Sequence, residues 1–122
     1  MKTIKQKHLN GCGVACVAML ADIDYDEAAA ILYPSGRSRR LRTDDLRAAL
    51  KKLKRKPAPG KRQLFGSTLP EDLKSDALVF VMMEEDGEEH RHWIVWDATA
   101  KKRRNPYKRN LPCRPTSYLL VE

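Results

Sequence analysis

Cysteine is scarce in this sequence and its copies do not pair off: Cys12, Cys16 and Cys113 make an odd set, with no signal-peptide pattern ahead of them. That argues against a secreted disulfide framework and for reduced thiols in a cytoplasmic protein. Long apolar runs are missing as well. The longest near the N-terminus has the length of a helix of about three turns, well under the ~20 residues of a bilayer span, so no membrane crossing is expected. No repeat, low-complexity tract or second core interrupts the 122 residues, which are enough to bury one core without staples. Aromatic residues interleaved with basic ones, as in proteins that read single strands, are absent, and so are the C-x₂-C knuckles of structural zinc.

What is abundant is positive charge. The net charge of +8 comes from clusters, "RSRRLR" (37–42), "KKLKRK" (51–56) and "KKRR" (101–104), set against one acidic knot, "EEDGEE" (84–89). Such a balance favours acidic partners, whether peptide, nucleic acid or anionic headgroups. The ordinary fate of each run is nevertheless a solvated turn or helix face.

Around these clusters the chain divides into helices first and strands after. Val14, Val17, Met19 and Leu20 predict a helix buried on most sides, starting at or near Cys12. "DIDYDEAAAIL" predicts a second, stopped at Tyr33-Pro34-Ser35-Gly36. "TDDLRAALKKLKRK" predicts a third, with Thr43 as N-cap, acids in its first turn, and Leu46, Leu50 and Leu53 at helical spacing. A loop-like stretch follows, with a short strand at 63–65 and a helical turn at 71–73. "DALVFVMM" and "HRHWIVWD" then form a hairpin about Asp86-Gly87, the second strand central in its sheet because both its faces are apolar. "KKRRNPY" returns antiparallel and "TSYLLVE" adds a last strand. The expectation is a single α+β domain over 1–122: a helical half (1–56), a crossover (57–76), and an antiparallel sheet half (77–122), with a site in the cleft between the halves.

Cys12 lies where such a cleft would open. The start of a helix lowers a thiol's pKa through unpaired N–H groups and the macrodipole, and Gly11 and Gly13 leave room for a substrate backbone. Nucleophilic chemistry at a thiol also needs a proton shuttle, a group orienting it, and oxyanion donors. His92 stands on the strand "HWIVW". A hairpin turning near Ala98 or Thr99 brings Asn105 beside it, where a side-chain amide would hold the tautomer that presents the other ring nitrogen to Cys12. Asp97 is the rival orienter, but its odd offset from His92 points it to the opposite face. Gln6, six residues before the cysteine, is placed to swing back and join the Cys12 N–H as an oxyanion donor.

These residues carry a resemblance. A glutamine, five residues, then "CGVACVAML", followed by "HWIVW" and "NP", is similar to the papain-like cysteine peptidases that remove double-glycine leaders from bacteriocin precursors, over Gln6 to Pro106. The resemblance implies a papain-like fold and a thiol peptidase needing no cofactor or metal. Cys12 would be the nucleophile, His92 the general base and acid, Asn105 the orienting residue and Gln6 the oxyanion donor. Two positions depart from that family, which usually has aspartate where this chain has Asn105 and Gly11; asparagine serves as orienter in papain itself. Family members are often fused to a membrane exporter, and no such segment is present to imply that role.

Three other readings remain open. Cys12 and Cys16, one helical turn apart, with His90 and His92 of "HRH", would suit zinc. A peptidase-like module without turnover would grip a peptide, or nucleic acid through the basic faces; the missing aromatic motif makes nucleic acid the weaker partner. Deamidation, transamidation and isopeptide cleavage share the same thioester and are not separated from peptide hydrolysis by sequence.

Overall fold

The computed structural model describes residues 1–122 in full. It is an α+β domain of three helices and one five-stranded antiparallel sheet. Helix α1 (Cys12–Ala21) is almost wholly buried, as its unbroken apolar composition requires. Asp22, at φ 57°, takes the left-handed conformation and donates its N–H to the Ala18 and Met19 carbonyls, which ends the helix. Helix α2 (Tyr25–Leu32) stops before Pro34, and α3 (Thr43–Lys52) buries Leu46 and Leu50 on one face. Burial of side chains this size is worth roughly 1.5–3 kcal/mol each. The N-cap of α3 is Arg42, and Thr43 is its first helical residue, correcting the expected boundary; the Asp45 carboxylate accepts the Arg42 backbone N–H at 2.8 Å and takes over the capping.

Strands β1 (Gln63–Leu64), β2 (Ala77–Glu85), β3 (Glu88–Asp97), β4 (Lys102–Arg104) and β5 (Cys113–Leu120) are ordered β1-β5-β2-β3-β4. The middle strand is therefore β2. β3 is interior but one place from the edge, because the late strand β5 inserts on the far side of β2 and displaces the expected centre. The β2–β3 hairpin turns through Asp86 (φ 53°) and Gly87 (φ 81°), both in the left-handed region that a two-residue turn of this hand needs. A short 3₁₀ turn, Pro70–Asp72, precedes β2. Where β5 runs beside β2, Phe80 pairs with Ser117 and Val81 with Pro115, so Thr116 bulges out and the strand accommodates a proline that has no N–H to give.

Alternation along β3 divides the core. Trp93 and Val95 pack into the main cluster with α1, whereas Ile94 and Trp96 join Phe65, Val79 and Val81 in a smaller cluster on the other face. Trp96 Nε1 donates to the Leu73 carbonyl at 2.9 Å, pinning the segment that covers that face.

The helical and sheet halves are stitched at both ends of the chain. Lys56 and Glu122 exchange both backbone hydrogen bonds, 2.8 and 2.9 Å, and β1 itself arises from the crossover. The N-terminal residues, expected with the helices, lie on the sheet half: the Gln6 N–H donates to the Pro106 carbonyl (2.9 Å) and Lys5 Nζ to the Asn105 and Tyr107 carbonyls. No helix is long and apolar enough to cross a membrane.

Candidate active site

α1 begins at Cys12 without a side-chain cap, since Gly11 holds the N-cap position. Its first N–H groups thus have no capping partner from the chain. The Cys12 sulfur occupies that place, within reach of its own N–H, that of Gly13, and that of Trp93 on β3. A strand's N–H groups lie in the plane of its sheet, and β4 pairs only with Val95–Asp97, so β3 is open beside Trp93. Cys12 packs against the main core cluster that holds Trp93.

The same two-residue alternation puts His92 on the opposite face from Trp93, 4% exposed. Asn105 follows β4 directly. Its Oδ1 accepts the Tyr107 backbone N–H at 2.9 Å, and this identifies the oxygen, because a backbone N–H can only donate. The same oxygen lies 2.7 Å from His92 Nε2. Nε2 must therefore carry the ring proton, which leaves Nδ1 bare as an acceptor. Asn105 Nδ2 donates to Cys113 Sγ at 3.7 Å. Cys12, His92, Gln6 and Tyr107 line one cavity of about 850 Å³, walled by the helical half on one side and by residues from both faces of the sheet on the other.

The electrostatics differ from the expectation of a thiolate made by the helix start. Burial pushes the Cys12 thiol above its ordinary value; the three N–H groups and the charge of Arg40 oppose this without reversing it. Burial also lowers the His92 pKa, against the opposing effect of the Asn105 hydrogen bond. Both shifts favour the neutral forms, a thiol at Cys12 and an uncharged imidazole at His92. The helix terminus acts on the sulfur, but desolvation is the larger effect.

Gln6 reaches the cavity in an unexpected pose. Its Nε2 donates to the His8 and Leu9 carbonyls, each at 3.1 Å, and its Oε1 is buried without a partner. The amide that was to face an oxyanion therefore closes its own loop. The two glycines also differ from their expected use. A Cβ on Gly11 would stand 2.2 Å from Tyr25 Oη, and one on Gly13 2.9 Å from Leu46 Cδ2, so both make room for the protein's own packing. Tyr25 was missed as a support of the site. Its hydroxyl meets His8 Nδ1 at 2.7 Å, and Tyr33 donates to the Asn10 carbonyl at 2.9 Å, so two α2-side tyrosines hold the loop before Cys12. Burial pushes the Tyr33 hydroxyl up to about 12, which keeps it a donor.

Asp97 does not approach His92: it accepts from Arg104 Nε (2.8 Å) and the Ala100 N–H, a buried ion pair that fixes the β3–β4 turn. Cys16 is fully buried in the helical core, and His90 is exposed. No three histidine, cysteine or acidic side chains converge as metal ligands would. Several members of the basic runs are structural: Arg39 pairs with Asp45, Arg103 with Glu71, and Arg55 bonds the carbonyls of Leu20 and Glu122. Arg40 and Arg42 instead line the cavity. No family model and no curated protein matches this chain.

Proposed function

We propose that the protein is a papain-like thiol hydrolase, a peptidase acting on a peptide or protein segment laid between its helices and sheet. The observation that carries the reading is that His92, its tautomer set by Asn105, lines one cavity with Cys12. In the first step His92 Nδ1 takes the thiol proton as Cys12 Sγ adds to the scissile carbonyl. Collapse of the tetrahedral species breaks the C–N bond, the imidazolium gives its proton to the leaving amine, and a thioester remains. Water then adds with His92 again as base, releasing a carboxylic acid and the thiol. The Cys12 N–H supplies one oxyanion donor. Gln6 supplies the second once its amide leaves the His8 and Leu9 carbonyls, a movement favoured by its unpaired Oε1, since a buried orphan acceptor costs about 1–3 kcal/mol. Asn105 orients the imidazole and, being neutral, stabilises its cation less than the aspartate usual in leader peptidases.

A second reading, a module that binds a peptide without turnover, is favoured by the occupied donors of Gln6 and the raised thiol. Limiting treatment with an iodoacetamide probe, followed by mass spectrometry, separates the two. A catalytic pair predicts that Cys12 reacts before Cys113, that His92→Ala removes the difference, and that Cys12→Ala protein cleaves nothing. Equal, slow labelling of Cys12 and Cys113, unaffected by His92→Ala, would establish the binding module.

A further inference from the structure

Four arginines of the cavity lining, Arg40, Arg42, Arg62 and Arg91, form no ion pair, although arginines elsewhere in the molecule pair repeatedly with carboxylates. The cavity's own acids do not compensate them. Glu85 is held by Arg109 (2.8 Å) and by the Tyr107 hydroxyl, and Glu89 by Arg114 (3.0 Å). Arg40 and Arg42 stand on the segment leading into α3; Arg62 and Arg91 stand on the sheet side. The Arg62 guanidinium lies 4.2 Å from the Phe80 ring centroid and 5.4 Å from that of Trp93, a platform that fixes its position and leaves its N–H edge free. Partial burial and the like charge of Arg91 both disfavour its cation. Guanidiniums gathered without counter-charge around an apolar floor of Phe80, Met82 and Trp93 are complementary to an anion carried on an apolar chain. A neighbouring cavity of about 540 Å³ shares Thr43 and Arg62 with the first and adds Lys61 beside the paired Arg47 and Asp44, so positive charge stays in excess there.

We infer that the segment this cleft accepts is an acidic peptide, with aspartate or glutamate side chains held by Arg62 and Arg91 on the sheet wall and by Arg40 and Arg42 opposite, and apolar side chains between them. The inference rests on the thiol-hydrolase reading for what happens to that segment, but its recognition is independent of turnover. A nucleic acid fits less well, because base stacking needs open ring faces, whereas Arg62 covers Phe80 and Trp93 is buried.

The test uses the 122-residue chain carrying Cys12→Ala, which cannot turn over, and two dansylated peptides of alternating leucine and glutamate or leucine and glutamine. The glutamate peptide is expected to bind at least about tenfold more tightly at low salt, with the advantage shrinking as salt rises. Arg62→Gln combined with Arg91→Gln should remove the preference, and Arg40→Gln on the other wall should reduce it, so a folding defect in one variant does not decide the result. Lys51→Gln with Lys52→Gln, outside both cavities, should leave it intact. Equal binding of the two peptides, a preference lost only in the lysine variant, or tighter binding of a deoxythymidine oligonucleotide of equal charge would overturn the inference. Acylation of the wild-type protein by p-nitrophenyl acetate, a neutral ester, reads the hydrolase function separately: its failure alongside a retained peptide preference would remove the catalysis and leave the acidic occupant standing.

Discussion

Replacing Asn105 by aspartate is the sharpest perturbation of the proposed pair. The new carboxylate occupies the position from which Oδ1 now accepts His92 Nε2 (2.7 Å) and the Tyr107 N–H (2.9 Å), so both donors stay satisfied. Only the amide N–H toward Cys113 Sγ disappears, an interaction long and weak at 3.7 Å, so the fold should tolerate the change. In the native protein an ion pair drawn from a thiol of 9.0 and an imidazole of 6.5 would have a constant of about 0.003 before mutual attraction, and burial moves both groups further from it. A carboxylate against the imidazole raises the imidazole pKa by about one to three, which raises the proton-transfer constant by the same power of ten, about 10- to 1000-fold. Alkylation of Cys12 by iodoacetamide at neutral pH, followed by mass spectrometry, should therefore accelerate at least about tenfold in Asn105→Asp. In the native protein the same rate should hold as pH falls through 6.5 and decline only below it, because His92 stays neutral until its lowered pKa is reached. A variant rate within about twofold of the native rate would show that His92 does not control the thiol, and the mechanism would fall.

Gln6→Ala should lower kcat by about 10²–10³ with little change in KM if its amide turns to the oxyanion; a loss of thermal stability with kcat intact would place it in the loop alone. Gly11→Ala should destabilise the protein by about 1–3 kcal/mol in urea unfolding, through the clash with Tyr25 Oη and the His8 backbone, with partial rescue by Tyr25→Phe. Arg104→Ala leaves Asp97 buried without its cation and should cost about 3–5 kcal/mol. Burial alone would raise the Asp97 carboxyl, but the Ala100 N–H and the Arg104 guanidinium outweigh it and hold the group below its ordinary 3.8. The native protein should therefore have this stability in full above that pH and lose it as acid titrates the carboxylate, a slope in urea unfolding that Arg104→Ala should flatten.

Periodicity and turn chemistry in the sequence were enough for the α+β class, the three helices, the Asp86-Gly87 hairpin and the antiparallel return that brings Asn105 to His92, because each is a short-range consequence of residue type. The place of Cys12 at the first turn of α1 was legible for the same reason. Strand order was not: β5 pairs with β2 across the intervening β3 and β4, and nothing local announces which edge of a hairpin a distant strand will join. Gly11 read as space for a substrate, whereas the space belongs to Tyr25, a residue whose position depends on how α2 packs. The charge state of the thiol followed the same division. Helix polarity is written in the first turn, but desolvation is a property of the surrounding fold, and it outweighs the local field. The basic composition, too, was plain from the residues alone; packing decided that Arg39, Arg55, Arg103 and Arg104 would be tied into the structure while Arg40, Arg42, Arg62 and Arg91 were left to face the cleft, since pairing depends on which carboxylates folding brings within reach.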